Sequence, residues 1–291
     1  MATKKPGQYW TETWNPVSGC TKVSAGCQNC FAEEMARRFP KVHALEPFGT
    51  ETLGETGLRP VLPVPFSTVV CHEDRLDIPL HWRKPRVVLV CSMGDLGHDD
   101  VPASFIAQVF DLMAVNDKHT YLVLTKRPER FRQFLSDTSY SRMRSLVWPG
   151  RWPLPNVYLG VSVEDQQTAD ERIPILLSTP AAHRWLSYEP ALGPLELLHH
   201  GSFTPCFGQN GIEWVVSGSE SGPGRRPTPH DNFRSLRDQC VDAGVDYFLK
   251  QMGANEDGSG KVVKMPELDG RVWDQMPEAM VEVLESAERS A

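Results

Sequence analysis

Three cysteines, Cys20, Cys27 and Cys30, fall within eleven residues in the spacing C-x6-C-x2-C. A C-x2-C pair lets two thiolates grip one metal centre, and the third reaches it from across a loop. Gly19 and Gly26 each precede a cysteine, which suits a backbone that must bend tightly around a bulky group. Three chemistries fit such a set. Structural zinc takes four protein ligands; His72 or Cys71 could supply the fourth, although neither has a partner at zinc-finger spacing. An iron–sulfur cluster is commonly held by four thiolates, and three would leave one iron open to a substrate-like ligand. Free or redox-active thiols are the third reading. The other four of the seven cysteines, Cys71, Cys91, Cys206 and Cys240, are scattered singly and read as ordinary buried thiols. An odd, uneven set argues against a secreted disulfide framework.

The elements that must position these thiols follow from the apolar runs. From residue 86 onward, RVVLVCSMGD, HTYLVLTKRP, NVYLGVSVEDQ, HRWLSYEP, IEWVVSGSESG and VDYFLKQMG are short apolar stretches that end in polar or glycine-containing tips. Helical patterns fall between them: residues 103–114, ERFRQFLSD, ADERIPILLS and NFRSLRDQCVDAG, the last closed by a glycine suited to a helix C-cap. Continuous apolar strands alternating with helices predict βαβ units and a parallel sheet. With one strand from the cysteine segment, six or seven strands are expected, in a full or partial α/β barrel of the TIM type. No glycine-rich dinucleotide fingerprint follows the first clear strand. The cysteine segment spans residues 10–40, the barrel 86–252 and a C-terminal extension 253–291, in a single domain. Residues 46–80 read as irregular connection with one strand at 68–71, and the tail from Pro277 reads as a surface helix capping the barrel.

In such barrels chemistry sits at the C-terminal ends of the strands. The tips are residues 92–95, 125–127, 162–164, 187–189, 217–220 and 250–251. Each alone would serve as a helix N-cap, but six polar tips in one register predict a shared pocket.

The bulk numbers set outer bounds. The 291 residues suffice for one α/β barrel, and 40% hydrophobic with 23% charged residues is ordinary for a globular protein. No apolar run reaches the roughly 20 residues that span a bilayer, and the basic N-terminus lacks the apolar core of a secretory signal, so a cytoplasmic protein with no membrane partner is expected. A formal net charge of −7 argues against a broad basic surface that coats nucleic acid. It leaves room for local basic clusters at Arg83, Lys84 and Arg86, at Lys126, Arg127, Arg130 and Arg132, and at Arg225 and Arg226.

The segment WNPVSGCTKVSAGCQNCFAEEMARR resembles the signature of an uncharacterised group of phage-associated three-cysteine-motif radical S-adenosylmethionine (radical SAM) proteins. The resemblance continues through RLDIPLHWRKPRVVLVCSMGDLGHDDVP, LTKRPERF, LPNVYLGVSVEDQQTADERIP, SYEPALGP, SGSESGPGRRP and FLKQMG, and covers most of residues 10–275. More distantly, the group is similar to spore photoproduct lyase. The spacing departs from the commoner C-x3-C-x2-C, and Asn29 stands where an aromatic often precedes the last cysteine. The resemblance implies a partial (β/α)6 radical SAM barrel in which Cys20, Cys27 and Cys30 hold a 4Fe-4S cluster that binds S-adenosylmethionine. It places Ser92, Met93, Gly94 and Asp95 at the cofactor's amino group, with Ser-Met where the superfamily has Gly-Gly, and Ser162 and Glu164 at its ribose. Lys126, Glu189, Glu220 and Lys250 become the leading catalytic candidates, with Arg127, Arg225 and Gln251 beside them, although a strand-end Lys next to Glu is as readily a structural pair. Tyr188 or Cys91 could return a hydrogen atom, with a buried structural thiol the plainer reading of Cys91. The resemblance further implies an electron donor of the flavodoxin or ferredoxin type, and a nucleic acid or nucleotide as substrate. Two other readings stay open: a zinc-stapled, non-catalytic binding module of a phage or mobile element, and a SAM-dependent methyltransferase, for which the usual glycine-rich loop is missing.

Overall fold

Along residues 87–90 every side chain is apolar, so a strand here must be covered on both sides. Val88 and Val90 turn to one face, Val87 and Leu89 to the other. The other runs repeat this pattern and assemble into one sheet. In the computed structural model, which describes residues 7–40, 43–45, 62–147, 149–197, 211–222 and 224–289, the strands are β1 (Glu12–Trp14), β2 (Val87–Val90), β3 (Thr120–Thr125), β4 (Val157–Val163), β5 (His183–Tyr188), β6 (Trp214–Gly218), β7 (Asp246–Gly253) and β8 (Val262–Lys264). Cys206 lies outside the described residues.

The strands stand in the sheet in chain order. β1 to β7 are parallel throughout, with registers such as Trp14 opposite Val90 and Val123 opposite Leu159. β8 adds antiparallel to β7, with Gln251 opposite Lys264. The sheet is curled and open, an eight-stranded half-barrel rather than a closed ring. The expected six or seven parallel strands are present; the eighth, antiparallel strand comes from the region read only as a C-terminal extension. The strand expected at 68–71 shrinks to Val70–Cys71, paired antiparallel with Val17–Ser18.

Helices α1 (Phe31–Arg38), α2 (Ala103–Val115), α3 (Pro128–Ser136), α4 (Thr138–Val147), α5 (Gln166–Ser178), α6 (His230–Ala243) and α7 (Glu278–Arg289) complete the fold. In α2, Phe105, Ile106, Val109, Phe110 and Met113 form the buried stripe that its spacing demands. α5 starts at a capping box in which Asp165 accepts from the Thr168 N–H at 2.9 Å. α6 ends at Gly244 with φ +67, the left-handed cap read from the sequence. Side chains of α2, α3, α5 and α6 join one core with Val88, Val123, Leu159, Leu186, Val215 and Leu249.

The opposite, inner face is built differently. Tyr9, Tyr158, Trp185, Trp214 and Phe248 pack there with Val87, Leu122 and Met280 of α7. The C-terminal helix therefore closes this face, as a capping helix should. Trp214 opens β6, and its indole N–H donates to the Gln275 carbonyl at 2.9 Å, so this aromatic floor sits toward the N-terminal ends of the strands.

Candidate functional site

Strand alternation carries the inner face upward from aromatic floor to polar rim. Residues two apart share a face, so Trp185 leads to Ser187 and Glu189, Tyr158 to Gly160, Ser162 and Glu164, Leu122 to Leu124 and Lys126, and Phe248 to Lys250. Two glycines make room. A Cβ at Gly160 would lie 2.4 Å from the Trp185 indole nitrogen, and one at Gly218 would lie 2.7 Å from a Glu189 carboxylate oxygen.

At the rim every acidic tip meets a cation. Glu164 is 0% exposed and contacts Lys126, Arg172 Nη1 at 3.2 Å and Ser24 Oγ at 3.0 Å. Lys126 also donates to Ser162 Oγ at 2.8 Å, and Ser162 donates to the Glu189 carbonyl at 3.0 Å. Asp95 accepts from Thr125 Oγ1 at 2.7 Å, from the Gly97 N–H at 2.9 Å and from Arg127 Nη1 at 3.2 Å. Glu189 pairs with Lys250 at 2.9 Å. Glu220 pairs with Arg226 and accepts from the Arg226 N–H at 2.9 Å. Burial pushes the Glu220 carboxyl upward, but these donors and Asn29 outweigh it and hold the group below the ordinary carboxylate value.

The cysteine loop lies across this rim and is pinned by it. Thr21 Oγ1 bonds to His98 Nε2 at 2.8 Å, Ser24 to Glu164, and Asn29 Nδ2 to Glu220 at 3.0 Å. A Cβ on Gly26 would lie 2.4 Å from Glu164 Cγ, so only glycine allows the loop to sit this low. Gly19, at φ +85, would place a Cβ 2.0 Å from the Thr68 carbonyl. Met93, Gly94 and Ser92 run beside the loop: Gly19 N–H donates to the Met93 carbonyl at 2.9 Å, Gly19 and Gly94 form a parallel bridge, and Asn15 Oδ1 accepts from Ser92 Oγ and the Met93 N–H. Cys27 ends a short 3₁₀ turn, Ala25–Cys27, and Cys30 stands at the N-cap position of α1 without a side-chain capping bond. All three thiols are free and half-buried. Desolvation, then the Asp95 carboxylate, pushes the Cys20 thiol up to about 11, against the pull of Arg127.

Among the described residues, no three Cys, His, Asp or Glu side chains are gathered around one point as a metal-binding group. The donor set itself fits a soft centre: three free thiols on one loop are the ligands that select iron–sulfur clusters or zinc. Beside the loop opens a cleft of about 410 Å³, lined by Val23, Lys126, Arg127, Arg130, Glu171 and Arg172 among others.

The structure brings Ser92 to Asp95, Lys126, Arg127, Ser162, Glu164 and Glu220 to the loop or its supports. Glu189 and Lys250 form their own pair on the rim, and Gln251 donates to the Ser219 carbonyl at 2.6 Å. Glu164 does not present a free carboxylate to a ligand: its oxygens are taken by Lys126, Arg172 and Ser24. Arg225 turns away to the Ser259 and Gly260 carbonyls, and Arg86 pairs with Glu12 at the N-terminal side of the sheet. Tyr188 belongs to the helix-side core and donates to the Gly193 carbonyl. Cys91 is buried just past β2 with φ +57, and desolvation raises its thiol far above the ordinary value. The sequence reading missed Arg172, Ser24, His98 and Asn15. Arg172 carried a signal, since it stands on the buried stripe of α5 with Ala169, Ile173 and Leu176, where an unpaired charge would be costly.

Fold and site together define an α/β half-barrel whose strand-end rim carries a three-cysteine loop. The chain belongs to the DUF5131 family, described as a protein of unknown function, whose model matches residues 6–277. No curated protein and no solved structure matches it. No helix among the described residues is long and apolar enough to cross a membrane.

Proposed function

We propose that the chain is a radical SAM enzyme on a partial (β/α)6 barrel, with Cys20, Cys27 and Cys30 holding a 4Fe-4S cluster. The observation that carries this reading is the placement of the three-thiol loop over the polar C-terminal strand ends of a parallel half-barrel, where α/β barrels keep their chemistry. Held by Cys20, Cys27 and Cys30, a cluster would supply the single electron that reductive cleavage of S-adenosylmethionine to a hydrogen-abstracting radical requires. The chain's own residues bind and orient. Residues 92–95 run against the loop backbone and are our candidates for receiving the amino group of S-adenosylmethionine. Ser162 is our candidate at the ribose, with Lys126 fixing its hydroxyl, while Glu164 holds the loop. A nucleic acid or nucleotide is the proposed substrate class, with Lys126, Glu189, Glu220 and Lys250 as its rim contacts, and a flavodoxin or ferredoxin type protein is the proposed electron donor.

Anaerobic reconstitution with iron and sulfide, reduction with dithionite in the presence of S-adenosylmethionine, and chromatography for 5′-deoxyadenosine test this. Cluster absorbance with 5′-deoxyadenosine is the expected result. A colourless protein carrying one zinc per chain sinks it. That outcome is the second reading, a zinc-stapled binding module, and one observation favours it: Asp95, Glu164, Glu189 and Glu220 are already neutralised by Arg127, Lys126 with Arg172, Lys250 and Arg226. A rim of satisfied pairs is a structure before it is a reagent.

A further inference from the structure

Arg127 sets a guanidinium on a cysteine sulfur. Its Nη1 donates to Cys20 Sγ at 3.4 Å and to Asp95 Oδ2 at 3.2 Å, and its Nη2 donates to both Thr21 O and Thr21 Oγ1 at 2.8 Å. The backbone beneath is fixed as well, since the Arg127 N–H donates to Thr125 Oγ1 at 2.8 Å. With its side chain 11% exposed, the guanidinium acts where solvent screens it little. A planar fork can serve sulfur, carbonyl, hydroxyl and carboxylate at once; an ammonium cannot hold that geometry.

We propose that Arg127 is a positioning residue for Cys20 that raises the reduction potential of the centre Cys20 ligates; this rests on the cluster reading above. Reduction adds negative charge, and a donor on a ligating sulfur stabilises the more negative state. Asp95, which shares Nη1 with the sulfur, opposes part of this. Removing Arg127 therefore acts twice in one direction: it deletes the donor and leaves the Asp95 carboxylate facing the sulfur.

The test uses the full chain, reconstituted anaerobically, with iron and sulfide counted per chain before a redox titration followed by electron paramagnetic resonance. Arg127→Gln with full iron should be reduced with an equilibrium constant at least tenfold lower, a fall of about 59 mV for one electron. Arg127→Lys, which keeps charge without the fork, should fall less. If Arg127→Gln fails to load, Arg127→Lys decides: a lowered potential supports the proposal and an unmoved one overturns it. Full loading with unmoved potentials in both Arg127 variants overturns it while leaving the cluster reading intact. A wild-type chain that takes up no iron overturns the cluster reading, and the proposal with it.

Discussion

The floor and the rim of the half-barrel share the same strands, often the same face two residues apart, yet they are held by different forces. On the floor Tyr9 meets Trp214 edge-on at 5.2 Å, and Trp185 stacks on Trp214 at 5.4 Å. The polar handles are satisfied locally, with the Trp185 N–H on the Tyr158 carbonyl at 3.2 Å. Such packing depends on shape and buried area, and its stabilisation is spread over many contacts. On the rim each carboxylate depends on one or two named cations. Removing a single partner there strands a charge, so the rim fails at discrete points while the floor fails by degrees. That contrast bears on the loop that carries the three thiols, because ion pairs and forked hydrogen bonds fix direction as well as distance.

The largest effect that can break this comparison is at the loop itself. Replacing any one of Cys20, Cys27 or Cys30 by Ala should abolish iron uptake while far-ultraviolet circular dichroism stays that of the wild type. Iron absorbance retained in any of the three would show that the ligands are misassigned. Next comes the floor. Trp214→Ala should cost about 3–5 kcal/mol of unfolding free energy in urea, the usual range for a fully buried tryptophan, with iron uptake by the folded fraction unchanged. A loss under 1 kcal/mol would mean that the floor is not the packed layer described. On the rim, Glu164→Ala leaves Lys126 and Arg172 without their carboxylate and frees Ser24. The expected cost is about 3 kcal/mol, the low end for a broken buried pair because Lys126 is 20% exposed and can rehydrate. Unlike Trp214→Ala, it should also speed proteolysis of residues 20–30. If both variants leave the loop equally protected, floor and rim do not divide the work as argued.

The same contrast explains what could be read from the residues alone. Runs such as YLVL and VYLGVSV announce strands because burial on both faces demands apolar residues at every position, and the tips follow as the places where the runs stop. α2 and α6 were legible from their stripes, and Gly244 from its place after one. α4 was not: Tyr140 is its one buried residue, so no stripe marks it. β8 was hidden because Val262, Val263 and Lys264 lie on an edge, half-buried or exposed, with nothing for a buried-strand pattern to detect. At the rim the sequence marks the residues but not their partners. Spacing along a strand fixes which face a side chain takes, whereas pairing depends on how adjacent tips and the loop converge. Thus the sequence offers Lys126 and Glu164 as catalytic and ribose candidates, and the fold places them against each other. Asp165→Ala offers a calibration between these extremes: loss of its cap on α5 should cost about 1 kcal/mol with no change in iron uptake.

The smallest effect separates the regions by pH. Glu220 titrates below the ordinary value of 4.5 in the folded chain. A carboxyl lowered on folding contributes stability that is fully present above its unfolded value and is lost as pH falls through the folded one. Glu220→Gln removes that contribution, so its deficit against the wild type in urea unfolding should be largest near pH 7 and shrink toward pH 3. Trp214→Ala, which removes no titrating group, should keep the same deficit at both pH values. Equal deficits for Glu220→Gln at pH 7 and pH 3 would mean that the Arg226 contact acts through shape, as the floor does, and the electrostatic account of the rim would lose its support at that tip.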